Sequence, residues 1–484
     1  MRLLQEIAQE VLELKKESGL KAEIQALNTY AQELRGELRD SLKDIKKSAI
    51  KAKRLLKVHL KNALMYQEVY KSPDGEILFY GDVYMQGLSA NNTGSGRGNL
   101  AEWTRVALPS DIEFIEVFGG HTTFYALPRE GNFLYVWGAN VEGCAGAGHT
   151  RAIPLPIKIE LSARVVKVCC GTSEADNKQS AVALLENGLV YVAGSNSVGE
   201  LGLGNTLPPS SFTQNPYLTN IKDISFASNG YAGMMMCIDN DGALWVCGHN
   251  LQGSCGNGNN ANLSIPIKLD FNQKVKIAKA SINAASSVQY ATSMIVFENG
   301  SVRGAGYGRD NNLSQNGTSD SNIFVTLIDI QGEILSGIKD VFPASINGTA
   351  CALDEQGLLY VWGKGAYGYG NANTASNEKA QIVLENVEEV VHWDRANTRV
   401  IVRLKGSSTF LAFGFNTDNA LGLGTNANSR VFAPVYTPSD VSEFAFTGFS
   451  SSGHLVMAAN DEIYACGSAI NGSIKYNTPT LQKQ

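Results

Sequence analysis

One pattern constrains this chain more than any other. A short apolar run closing on a glycine returns at near-fixed spacing. The clearest copies are Leu134-Tyr135-Val136-Trp137-Gly138, Leu244-Trp245-Val246-Cys247-Gly248 and Leu359-Tyr360-Val361-Trp362-Gly363. The closing glycines are Gly138, Gly194, Gly248, Gly306, Gly363, Gly414 and Gly467, separated by 56, 54, 58, 57, 51 and 53 residues. A period of this size is the signature of a repeat architecture.

Each copy has the same internal order. An apolar run such as Ala181-Val182-Ala183-Leu184-Leu185 meets a turn, Glu186-Asn187-Gly188, and a second apolar run reaches the glycine. Asn187-Gly188, Asp241-Gly242, Asn299-Gly300 and Gln356-Gly357 predict two-residue hairpins, whose central residues need positive φ. Extended pairs follow, such as Pro156-Ile157-Lys158-Ile159 with Val165-Val166-Lys167-Val168. About four short strands per repeat, with almost no helical periodicity, make the chain mainly β and predict a β-propeller. The residue before the closing glycine is Trp137, Ala193, Cys247, Ala305, Trp362, Phe413 or Cys466. Its size varies and its polarity does not, so it reads as one inward-facing packing position.

The loops after the glycines carry a finer pattern. Val192-Ala193-Gly194-Ser195-Asn196-Ser197-Val198-Gly199-Glu200-Leu201-Gly202-Leu203-Gly204 is the fullest copy, and 413–424 is nearly as good. This resembles the regulator of chromosome condensation repeat. His121-Thr122, and partly Gly453-His454, resemble the pair that opens the family's hairpin. The resemblance spans roughly Glu76 to Gly472 and implies a seven-bladed propeller. Counted as extended pair plus hairpin, seven repeats fill 102–472, with 473–484 left as a tail. Residues 65–101 are then a linker holding a flexible loop at 89–99. Glu76-Ile77-Leu78-Phe79-Tyr80-Gly81 is left over, either as an extra outer strand or as half of a hairpin with Tyr66-Gln67-Glu68-Val69-Tyr70.

Residues 1–64 read differently. They lack proline, and Leu4, Ile7, Val11 and Leu14, then Ile24, Leu27, Leu34 and Leu38, follow helical spacing. This predicts a long coiled-coil-like helix, with those residues as its oligomerisation seam. A trimer is the favoured state. The segment carries 14 Lys+Arg against 9 Asp+Glu, a net +5, so the total of −6 leaves −11 for the remainder. An acidic propeller is a poor partner for a phosphate backbone, so it is not expected to bind nucleic acid. The basic stretch Lys43 to Lys61 fits either an anionic surface or an acidic neighbour. No apolar run reaches the ~20 residues of a membrane span.

No catalytic constellation is legible, so the chain is not expected to be an enzyme. G-x-S-x-G, H-E-x-x-H and the phosphate-binding G-x-x-x-x-G-K-[ST] are missing, and the six histidines are scattered. Glu142, Glu200, Asp310 and Asp418 lie in the glycine loops, where they could line an acidic pocket, but no acid–base pair stands out. The eight cysteines lack metal-ligand spacing, so neither a metal nor a cofactor is expected. The nucleotide-exchange activity of the family's founding member needs an insertion and site residues that do not carry over. The candidate binding residues are loop amides and aromatics: Asn257, Asn259, Asn260, Tyr307, Asn311, Asn312, Tyr367, Tyr369, Asn371, Phe415 and Asn426. Two functions remain open. A virion fibre or spike would display the propeller to a host-surface glycan or protein, alongside other virion proteins. A cytoplasmic propeller scaffold would bind protein partners.

Overall fold

The computed structural model describes residues 67–71, 83–87, 100–109, 111–119, 123–171, 179–285, 288–315, 317–346, 348–364, 377–394, 399–417, 419–438, 441–449, 452–459, 462–467 and 478–483. The helix expected over 1–64, with its seam residues, lies outside them. So do the loop at 89–99, the strand expected at 76–81, and His121-Thr122.

The described strands form eight antiparallel sheets in chain order. Sheet 1 has three strands, Gln67–Lys71, Val83–Gly87 and Leu100–Arg105. Sheets 2 to 8 have four strands each and occupy 114–160, 165–214, 221–269, 275–326, 338–384, 387–434 and 441–483. Within each, the strands pair in sequence order. From sheet 2 onward, successive sheets meet through their first and second strands.

Each extended pair turns out to straddle a sheet boundary. Ile153–Glu160 is the outer strand of sheet 2, and Val165–Cys170 is the first strand of sheet 3. Two sequence expectations change as a result. The stretch treated as a tail supplies Thr478–Lys483, the outer strand of sheet 8. At the other end, the partner of Gln67–Lys71 is Val83–Gly87, with Tyr70 opposite Tyr84. Gly87 faces the first residue of its outer strand across a bulge, as Gly138 faces Ile153 and Gly248 faces Leu263. Val83–Gly87 thus takes the pairing that the hairpin reading gives to 76–81, and 76–81 themselves lie outside the described residues.

The closing glycine is required on two grounds. Gly248 has φ +101, and a Cβ there would lie 2.3 Å from the carbonyl oxygen of Gly233. The second strand's entry therefore leaves no room for a side chain, and the geometry repeats down the chain. The residue before the glycine is fully buried in all seven copies, from Trp137 to Cys466. Truncating one of its large members, such as Trp362, should cost about 3–5 kcal/mol.

The hairpin turns differ in type from the expectation. Leu185 N donates to Leu189 O, Gly188 N donates to Leu185 O, and only Gly188, at φ +78, is left-handed. This is a three-residue turn with the glycine at its bulge, which also explains why Glu186 can precede the Asn-Gly pair. No disulfide links the eight cysteines, and seven are buried. Burial pushes the Cys144 thiol up to about 11.

Candidate functional site

The turn between strands one and two and the loop between strands three and four share one end of each sheet. The described glycine loops, and so the described sequence-expected binding residues, belong to this end.

A buried asparagine organises most of these loops. Asn196 accepts from Leu201 N at 2.9 Å and donates to the carbonyls of Asn205 (3.0 Å) and Leu207 (3.2 Å). Asn140 makes the same three bonds to Ala145, His149 and Arg151. Asn250 makes them to Cys255, Asn259 and Ala261, and Asn416 to Leu421, Thr425 and Ala427. All four side chains are buried. One amide closes an eleven-residue loop by satisfying three backbone groups, which is why asparagine recurs two residues after the glycine.

Three of the expected binding amides, Asn257, Asn259 and Asn312, are also engaged within the fold. Asn257 accepts from the Asn250 amide, and Asn259 caps Ala261 N. In the loop after Gly306, Asn311 and Ser314 take left-handed backbone (φ 62 and 44) where other repeats place glycine. Asparagine tolerates that conformation best among residues with a side chain. Asn312 is buried; its side-chain amide donates to Ser345 O and its backbone carbonyl accepts the Trp362 indole N–H at 2.9 Å. Asn260 and Asn426 are exposed, whereas Tyr367, Tyr369 and Asn371 lie outside the described residues.

The aromatics are also partly enclosed. Tyr307 is 5% exposed and meets Tyr290 edge-on at 4.9 Å. Burial, reinforced by Asp310, holds its phenol well above the usual range. Lys364 lies 3.7 Å from Asp310, and Arg309 pairs with Asp320 at 2.9 Å. Phe415 is half-buried, with the Arg399 guanidinium 5.0 Å from its ring. The expected residues thus hold separate loops together more than they line one pocket. Among the described residues, no group of three or more metal-ligating side chains converges.

Other side chains remain open at this end. Leu207, Tyr231 and Leu251 are 72%, 46% and 53% exposed. They sit on bonded, adjacent loops of sheets 3 and 4. Tyr231 N donates to Asn229 Oδ1, and Ser197 Oγ donates to Tyr231 O. Next to Leu251, Gln252 donates to Gln289 O at 2.9 Å, and the Asn229 amide donates to the Gln289 side chain. Reasoning from amides overlooked these three. The available signal was an apolar residue inside an otherwise polar loop.

Of the acidic loop residues, Asp418 lies outside the described residues, while Glu142 and Asp310 are half-buried. Glu200 is 1% exposed, and Val198 N donates to its carboxylate at 2.9 Å. Burial raises its pKa from 4.5 to about 6. A folded-state pKa above the unfolded value means stability that is present at low pH and is lost as pH rises through about 6. The shift corresponds to roughly 2 kcal/mol. Glu200→Gln keeps an acceptor for Val198 N. It should therefore raise stability by about 1–2 kcal/mol at pH 8, change little at pH 4, and flatten the pH dependence of thermal melts between them.

Comparison with known proteins fits this arrangement. Residues 132–173 match the regulator of chromosome condensation (RCC1) repeat. The chain carries at least one such repeat. The X-linked retinitis pigmentosa GTPase regulator of Canis lupus familiaris is 31% identical over 169 residues, covering 34% of this chain and 15% of that protein. The E3 ubiquitin-protein ligase HERC2 of Mus musculus is 24% identical over 280 residues, 56% of this chain and 6% of that protein. The chain thus spans about a seventh or less of these relatives' length. Among solved structures, Prp20p from Saccharomyces cerevisiae aligns with TM-score 0.50 and 14% identity, covering 83% of this chain and 92% of that one. That likeness supports a propeller-like fold.

Proposed function

We propose that this chain is a non-enzymatic propeller scaffold that binds protein partners through the loop end carrying Leu207, Tyr231 and Leu251. The supporting observation is that these apolar side chains stay exposed on loops whose backbones are fixed by buried amides. Rigid loops presenting apolar and aromatic groups lose little entropy on docking, and such anchors carry most interface energy. A net charge of −11 over residues 65–484 favours a protein over a nucleic acid.

The names of the relatives supply the first partners to test, since one is a GTPase regulator. The virion-fibre reading rests on residues 1–64, outside the described residues, and on loop amides of which Asn257, Asn259 and Asn312 are engaged in the fold. The scaffold reading is therefore the better supported. No helix among the described residues is long and apolar enough to cross a membrane.

The test is a triple variant, Leu207→Ser, Tyr231→Ser and Leu251→Ser, compared with the full chain in affinity purifications from its source cells. The expected result is at least a ~10-fold loss of co-purifying protein, since each exposed anchor contributes about 1 kcal/mol or more. The melting temperature should stay unchanged. Retention of the same partners at the same yield would sink the reading.

A further inference from the structure

The connection between sheets 5 and 6 breaks the repeat. It runs over 327–337, whereas the connections after sheets 2, 3, 4, 6 and 7 run over 161–164, 215–220, 270–274, 385–386 and 435–440. The extra length is a built hairpin. Ile328 pairs with Ile334, Asp329 N donates to Glu333 O at 2.8 Å, and Gly332 closes the turn at φ +91. Its feet, Leu327 and Leu335, are buried in the core beside Ala380. Ser314 clamps it by donating from Oγ to Ile328 O at 2.6 Å and accepting from Ala380 N at 2.7 Å. Ile330 N donates to Ala380 O, so the hairpin covers part of the outer edge of sheet 6.

Covering an edge explains the buried feet but not the tip. Ile330 and Ile334 are 51% and 56% exposed, and Ile382, on the strand beside them, is 49% exposed. Carboxylates flank the trio: Asp329 and Glu333 in the hairpin, and Glu385 beyond Ile382. Among the described residues none of the three forms an ion pair, whereas Glu355 and Glu389, farther along this end, pair with Lys276 and Arg403.

We infer that the hairpin 328–334 and the adjacent strand form a second docking surface, for a partner-protein segment that is apolar on one side and basic on its flanks. Charge complementarity selects the occupant. Asp329 caps the hairpin by accepting from Glu333 N at 2.9 Å, but exposed isoleucines flanked by the Glu333 and Glu385 carboxylates, which form no ion pair among the described residues, attract Lys- or Arg-bearing apolar segments and repel acidic ones. The surface is built on the connection that follows strand four of sheet 5, whereas the loop face is built from the connections after strands one and three, so the inference stands apart from the proposed function.

The probes are a 14-residue Leu/Lys amphipathic peptide and its Leu/Glu counterpart, titrated into the full chain. The Leu/Lys peptide should bind saturably at one site. Its Kd should rise at least ~10-fold in Ile330→Ser/Ile334→Ser, and likewise in Glu333→Lys/Glu385→Lys. The loop-face triple variant should leave it unchanged, which separates this surface from the other. Both hairpin variants spare Leu327, Leu335 and Ser314, so their melting temperature reports intact folding. Equal binding of the Leu/Glu peptide, no binding of the Leu/Lys peptide, or weakening by the charge variant alone would each overturn the inference.

Discussion

Gly253→Ala should destabilise the fold by about 3–4 kcal/mol, far more than a methyl group ordinarily does. Two costs combine. Gly253 has φ +81, where an L-residue loses roughly 1–2 kcal/mol. A Cβ there would also lie 2.3 Å from Asn322 Cα, on the outer strand of the next sheet. Backbone cannot swing aside as a side chain can, so overpacking adds about 1–3 kcal/mol. Gly143 against Ser210 and Gly199 against Ser264 repeat the contact. This glycine therefore spaces one repeat from the next. Gly258 is the control: its φ is +85, but a Cβ there meets nothing within 4 Å. Gly258→Ala should lose only about 1–2 kcal/mol. Denaturant titrations of the two variants measure the difference directly. Equal losses would show that the inter-repeat contact yields.

Asn196→Asp should be nearly as damaging at neutral pH, about 3–5 kcal/mol, although the side chains are almost isosteric. Aspartate keeps the acceptor for Leu201 N. It loses both donations, to Asn205 O and Leu207 O, and turns a carboxylate oxygen toward those carbonyls in a buried site. Protonation restores one donor. Burial raises the introduced acid's folded pKa, so its stability should recover as pH falls and be lost as pH rises. Asn196→Ala should show a smaller loss with no such recovery. Both variants free the Leu207 carbonyl and should loosen the loop that presents its side chain, so they should weaken partner binding before the fold is lost. Melting curves at pH 4.5 and 7.5, with binding at 25 °C, check this.

These two positions show how much of the molecule was legible in sequence. The glycine period pointed to the β repeats, and the residue before each glycine was rightly read as buried. Phase was harder. The extended pairs are adjacent in sequence but belong to different sheets, because periodicity alone does not say where a sheet begins. Hence 478–483 was assigned to a tail. The candidate site was less legible still. Asparagines in glycine-rich loops look available for ligands, and only the hydrogen bonds show that Asn140, Asn196, Asn250 and Asn416 serve their own backbones. Leu207, Tyr231 and Leu251 carried little signal, because an apolar residue in a loop is common and its exposure depends on tertiary packing.

The central claim is that the loop end, with its asparagines turned inward and its apolar groups outward, is where protein partners dock. Site-specific photocrosslinking tests it most directly. A benzophenone amino acid replaces Leu251 in the full chain, expressed in the source cells, and a second chain carries it at Leu155, which is 48% exposed on the outer strand of sheet 2. Docking at the loop end should give discrete protein adducts at 251, abolished by adding Leu207→Ser and Tyr231→Ser, with none at 155. Adducts at 155 alone, or equal adducts at both positions that ignore the added substitutions, would contradict it.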